Sequence, residues 1–202
     1  MVKDAMSTHK APAGRESTTR RALIRATAQV MLEEGYAAAT SRRVAAHAGV
    51  KPALVHYYFP SMDDLFVAVL QAGAESNLST QQEAFAEDGP LHALWELNST
   101  QGAALWMEFT ALANHRKAIR TEIAGYADRF RALEETAMAS ALQAHGVDTD
   151  EFPPVVMSMI VASLARILVL EQGLGISRGH GQAQDFVRRY LDRFELPPGD
   201  PE

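Results

Sequence analysis

The chain has 202 residues, 47% hydrophobic and 22% charged, with no cysteine and a formal charge of −6. That is enough apolar content for a sizeable core in one or two domains, and two unequal domains are expected. The absence of cysteine excludes a disulfide framework and a cysteine-based zinc site and suits a reducing, cytoplasmic setting.

Residues 1–16 are polar, contain Pro12 and Gly14, and carry the scattered cations Lys3, Lys10 and Arg15, the composition of a disordered arm. They lack the apolar core of a secretory signal, so the glycosylation patterns at Asn77 and Asn98 read as chance matches. Charge is distributed unevenly. Up to Met62 there are nine Lys or Arg against four acids, and beyond it ten against twenty-one. An anionic partner would therefore meet the N-terminal end, although an ordinary solvated surface accounts for the charge equally well.

A first helix is expected from about Thr18 to Glu34, with Leu23, Ala26, Val30 and Met31 as its apolar stripe and Gly35 as its stop. From Thr40 to Leu65 the sequence TSRRVAAHAGVKPALVHYYFPSMDDL predicts two short helices around a tight turn, then a third with its own cap. Thr40 can cap a helix carrying Val44, Ala45 and Ala48 on one face, and Gly49 supplies the left-handed residue that ends it. Pro52 suits a first helical position, and Val55, Tyr58 and Phe59 share one face. Lys51, Ala53, Leu54, His56 and Tyr57 remain on the other, a mixture of cation, small apolar groups and ring hydrogen-bonders suited to base edges. Ser61 and Asp64 form a capping box, with Asp63 and Asp64 at the positive end of the next helix.

Beyond Ser61 there is no period-two alternation and no internal repeat, so the fold class is all-α. Breaks are expected near Asn77–Thr80, Glu87–Pro90, Gln101–Gly102, Asn114–Lys117, Gly146–Pro154 and Gly173–Gly181, delimiting about six helices. Ile119, Ile123, Tyr126, Phe130, Leu133 and Ala137 recur at alternating steps of four and three, the spacing of a packed seam that needs a partner helix. Val155–Leu170 is apolar almost all round. At that length, and with Arg166 inside it, burial by protein on two sides fits better than a membrane span.

Gly175-Ile-Ser177-Arg-Gly179 matches a hydrolase nucleophile elbow, but a helical pattern precedes it where the elbow needs a strand. The seven histidines include no pair at i, i+4 and no HExxH, and GxxxxGK is absent, so no metal or cofactor is expected.

From Ala22 to Leu70, about a quarter of the chain, the sequence resembles the DNA-binding domain of the TetR family of bacterial transcriptional regulators. The resemblance rests on the Gly35-Tyr36 break, the Thr40 cap, AHAGV at 46–50, HYYF at 56–59 and PSMDDL at 60–65. The family usually has a lysine, thought to touch a phosphate, where this chain has Met62. The resemblance implies a disordered arm at 1–16, a helix-turn-helix domain at 17–64 and an effector-binding and dimerisation domain at 65–202. It implies a homodimeric repressor on a palindromic double-stranded operator, joined through helices around 119–145 and 154–171. Thr40, Ser41, Arg42, Arg43 and Tyr58 are then expected to hold phosphates, and Lys51, Pro52, Ala53, Leu54, His56 and Tyr57 to face the bases. A small apolar effector is expected among Leu94, Trp95, Leu105, Trp106, Met107, Phe109, Phe130, Met138 and Met157, each of which serves equally as ordinary core. Two readings of other classes stay open: a helical protein-interaction adaptor, and a serine hydrolase using Ser177.

Overall fold

The computed structural model describes residues 13–86 and 89–195, and their side chains except those of 13–17, 101 and 195. Every regular element among them is helical. The chain divides into two compact units, Met1–Val69 and Leu70–Glu202.

The first unit contains α1 (Ala13–Glu34), a 3-10 turn (Tyr36–Ala38), α2 (Ser41–His47) and α3 (Pro52–Tyr58). It also holds the start of α4 (Met62–Phe85). Helix α1 begins at Ala13, so residues 13–16, read from composition as part of an arm, are helical; nothing beyond Pro12 interrupts the helical sequence. Residues 1–12 lie outside the described residues. The predicted stripe Leu23, Ala26, Val30 and Met31 is buried and meets Val44, Ala45, Val55, Phe59 and Leu65 in one small core. Thr27 is also buried there, and its hydroxyl satisfies itself on the Leu23 carbonyl at 2.8 Å.

Between α2 and α3 the chain reverses at Gly49, whose φ of +66° lets the Val50 amide donate to the Ala45 carbonyl at 2.9 Å. Pro52 occupies the first helical position of α3, where no donor is needed. The capping box is formed: the Asp64 amide donates to Ser61 Oγ at 3.2 Å, and the Ser61 amide donates to Asp64 Oδ2 at 2.9 Å.

The second unit contains the rest of α4 together with α5 (Pro90–Asn98), α6 (Gln101–Ala113), α7 (Lys117–Ala144), α8 (Pro154–Gly173) and α9 (His180–Glu195). The break expected at 77–80 does not occur. Helix α4 runs through it because its polar side chains bond along the helix, with the Thr80 hydroxyl on the Ser76 carbonyl at 3.0 Å, while Ala74, Leu78 and Gln81 continue a buried stripe.

Two apolar clusters fill this unit. In one, Leu91, Leu94, Met138, Leu142, Val161 and Leu191 join α5, α7, α8 and α9. In the other, Ala74, Leu78 and Tyr126 are covered by Trp106, Phe130 and Leu133. The α7 seam is spent inside the chain: Ile119, Tyr126 and Ala137 are buried and Ile123, Phe130 and Leu133 partly so.

Helix α8 is different, with Ser158, Val161, Ala162, Ala165 and Leu168 buried while Val156, Met159, Ile160, Ile167 and Leu170 are exposed. It has 20 residues, longer than the apolar run suggested, and is long and apolar enough to cross a membrane by length and composition. Its residues divide into a face buried on the chain's own core and an exposed, apolar opposite face.

A methyl group on Gly49 would meet nothing within 4 Å, so only the left-handed backbone penalises one. Gly49→Ala is expected to destabilise the first unit by about 1–2 kcal/mol and Gly49→Asn by less. Amide hydrogen exchange in α2 and α3 would measure both, reporting this unit separately from the second.

Candidate nucleic-acid interface

Helix α3 has only seven residues, and its anchoring comes from one side. Val55 is fully buried, Phe59 is 2% exposed, and the Arg20 guanidinium lies 5.0 Å above the Phe59 ring. Tyr58 is half-buried and meets the Tyr57 ring edge-on, with centroids 5.0 Å apart. The other side carries Lys51, Pro52, Ala53, Leu54, His56 and Tyr57, all exposed, Tyr57 to 65%. A tyrosine so far out of the core buries little apolar area at home and keeps its ring and hydroxyl for a partner.

The five residues expected on phosphates differ in availability. Thr40 caps α2 by accepting the Arg43 amide at 3.3 Å, a bond that uses the oxygen and leaves the hydroxyl proton to donate. Ser41 is half-buried and Arg42 exposed. Arg43 is already engaged: its Nη2 lies 2.6 Å from Glu34 Oε1, and its Nε donates to the same carboxylate at 2.9 and 3.0 Å. Hydrogen bonding to Glu34, reinforced by its charge, raises the guanidinium above its ordinary pKa. His47 similarly approaches Glu33, Nε2 to Oε2, at 3.6 Å. The acids ending α1 therefore hold α2, and Arg43 shares its charge with Glu34 while Nη1 keeps its N–H groups outside that pair. Sequence reading did not anticipate this pair or the Arg20 contact; the only local hint was basic residues facing a helix end rich in acid.

In the second unit six of the nine bulky residues divide between the two apolar clusters. Leu94 and Met138 are core, with Trp95 and Met157 packed at the edge of the same cluster. Trp106 and Phe130 form an edge-to-face pair, centroids 5.6 Å apart, in the other cluster. Phe109 is 1% exposed, and Leu105 and Met107 are half-buried outside both clusters. An open depression of about 250 Å³ is lined by Thr121, Glu122, Gly125, Tyr126 and Arg129. Beside it Glu75 of α4 accepts the Tyr126 hydroxyl at 2.8 Å and Arg129 Nη1 at 2.6 Å. Those two bonds, Arg129's the stronger, hold the Glu75 carboxyl below its ordinary pKa.

Residues missed by sequence reading lie deeper. Glu134 is 4% exposed and accepts Asn98 Nδ2 at 3.3 Å. Burial raises its pKa, opposed by the Asn98 bond and the charge of Arg166. Ser177 is exposed in the turn between α8 and α9, with a helix before it. No group of three or more potential metal ligands occurs among the described residues.

Residues 23–69 match the sequence model of bacterial regulatory proteins of the tetR family. The chain is 23% identical over 188 residues to the HTH-type transcriptional regulator BetI of Rhizobium meliloti, covering 88% of this chain and 92% of that one. In fold it is similar to a TetR transcription regulator from Haloarcula marismortui, with a TM-score of 0.69 at 20% identity, covering 88% and 98% of the two chains. It is also similar to a transcriptional regulator from Saccharomonospora viridis solved in complex with choline, with a TM-score of 0.72 at 22% identity over 88% and 95%. Residues 23–69 thus match the tetR family's sequence model, and through nearly the whole length the fold is similar to that of a TetR transcription regulator.

Proposed function

We propose that the protein is a homodimeric repressor that docks α3 of each subunit in the major groove of a palindromic operator and is released by a small, largely apolar effector. Residues 17–64 act as the reading head and 65–202 as the effector-binding and dimerisation domain. The observation that carries this reading is the exposed row on α3, polar and aromatic, opposite the buried Val55 and Phe59. Arg42, Thr40, Ser41 and Tyr58 position the head on phosphates, with Arg43 joining them through the N–H groups that Glu34 leaves outside the pair. Lys51, Ala53, Leu54, His56 and Tyr57 read base edges.

Dimerisation is assigned to the bare side of α8. Val156, Ile160, Ser163, Ile167 and Leu170 are all exposed and follow one another by four, three, four and three residues, the register of a two-helix seam. Phe186 of α9, 61% exposed, adds apolar area outside the core. Helix α7, whose sequence carries the same spacing, has spent it internally, so the proposed interface moves from 119–145 to α8 and α9. Two heads joined this way address half-sites roughly 34–36 Å apart or somewhat more.

Choline in the Saccharomonospora viridis structure supports a small-molecule effector for this fold. A coupling of about 1–3 kcal/mol between effector and DNA suffices for regulation. Helix α4 is the natural carrier, since its residues belong to both units.

The bare α8 face also favours a second reading, an adaptor for other proteins. Gel shift at low salt with a self-complementary site selected from random duplexes separates the two, because an adaptor ignores duplex DNA.

Arg42→Ala is expected to weaken all duplexes and lower the slope of log affinity against log salt by about one, with Arg43→Ala having the smaller effect. Tyr57→Ala should instead cost about 1–3 kcal/mol at the preferred site and relax sequence preference. Equal losses at every sequence for Arg42→Ala and Tyr57→Ala would refute the division of roles. Ile160→Asp is expected to give a folded monomer by analytical ultracentrifugation, with operator affinity falling in parallel; a dimer unchanged by this substitution would exclude the α8 interface.

A further inference from the structure

Helix α1 ends on two acids, Glu33 and Glu34, with no basic residue in its last turn. Carboxylates at that end oppose the helix dipole, so their placement costs α1 stability unless a cation answers them. Both meet side chains of α2. Glu34 pairs with Arg43, and one turn further along α2 the His47 ring approaches Glu33, Nε2 to Oε2, at 3.6 Å.

The Arg43 pair is side-on. Nε donates to Oε1 at 2.9 Å and to Oε2 at 3.0 Å, and Nη2 donates to Oε1 at 2.6 Å, so the carboxylate lies along the Nε–Nη2 edge of the guanidinium. The Nη1 end of the plane is outside the pair and keeps its N–H groups. Arg43 is also pinned at its backbone, where its amide donates to the Thr40 hydroxyl at 3.3 Å. Its side chain nevertheless stays 49% exposed. An arginine fixed along one edge and open at another differs from a free surface arginine: the rotatable bonds that a phosphate would have to immobilise are already set.

Glu34 thus bears on DNA binding in two opposed ways. Its charge repels backbone phosphates, but between exposed groups several ångströms apart in salt solution that repulsion is worth about a twofold loss of affinity or less. Immobilising a free arginine on binding costs about two- to tenfold. Orientation outweighs repulsion. We infer that Glu34 is a positioning residue for DNA recognition, holding the Nε–Nη2 edge of Arg43 so that the Nη1 end meets a backbone phosphate of the operator. This rests on the reading above, in which Arg43 serves a phosphate, and adds that an acid beside the DNA strengthens binding. A lysine at position 43 would keep the charge and could pair with Glu34, yet an ammonium has no second fixed edge to present.

The test is gel shift of the full-length protein on the duplex selected by the wild type, with Glu34→Ala, Arg43→Ala, Arg43→Lys and the double variant Glu34→Ala with Arg43→Ala. Glu34→Ala should weaken binding about threefold even though it removes a negative charge. In the Arg43→Ala background the same change should strengthen binding by up to about twofold, because only repulsion is left to lose. Arg43→Lys should lose most of what Arg43→Ala loses. Single methylphosphonate substitutions along the duplex should reveal a phosphate in each half-site whose neutralisation weakens the wild type and is silent in Arg43→Ala. Hydrogen exchange in α2 reports whether each variant keeps the head folded. A Glu34→Ala protein that binds as tightly as the wild type or tighter overturns the inference. So does weakening by Glu34→Ala in both backgrounds, which a merely loosened α2 would give, or an Arg43→Lys protein equal to the wild type, or the lack of any such phosphate. Wild-type protein indifferent to every duplex refutes the regulator reading beneath it instead.

Discussion

The first unit depends on one constraint, that Val44, Ala45, Val55 and Phe59 leave water together with the Leu23, Ala26 and Val30 stripe of α1. Burying each of the larger side chains stabilises the unit by roughly 1.5–3 kcal/mol, a large share for so small a core. Seven-residue helices are too short to persist alone, so this burial is what makes α2 and α3 helical at all. It also sets their rotation. Once Val55 and Phe59 point inward, the i, i+3, i+4 geometry leaves Lys51, Leu54 and Tyr57 pointing outward, and the proposed reading face follows from the core.

Polar contacts refine what burial sets. Glu34 holds Arg43, and Thr40 and Ser61 close the helix starts with their own side chains. These contacts are exposed and individually modest, yet they decide how the cations stand toward a phosphate: Arg42 is exposed, whereas Arg43 is shared with Glu34. In the second unit, Glu75 accepts from both Tyr126 and Arg129, tying α4 to α7 just beyond the division between the units.

The second unit departs twice from the rule that apolar groups are hidden and polar groups wet. Helix α8 leaves an apolar face outside, while Gln81, Asn98 and Glu134 place polar groups inside. Both are costly for an isolated chain, and such costs commonly mark the places where something else binds. The outer face is long and regular, suited to another helix.

Within 26 residues the sequence alone determined the head: cap, left-handed glycine, first-turn proline, capping box and the two faces of α3. Each is a local signal, set by residues three or four apart whose geometry any helix enforces. The all-α class was legible for the same reason. The supposed break at Asn77–Thr80 failed because polar residues that often end helices here bond within α4. Tertiary structure decided which of two seam-like helices is consumed internally, which arginine meets Glu34, and that Asn98 of α5 reaches the buried Glu134 of α7. Spacing along a helix states that a face needs covering; only the packing of segments tens of residues apart determines what covers it.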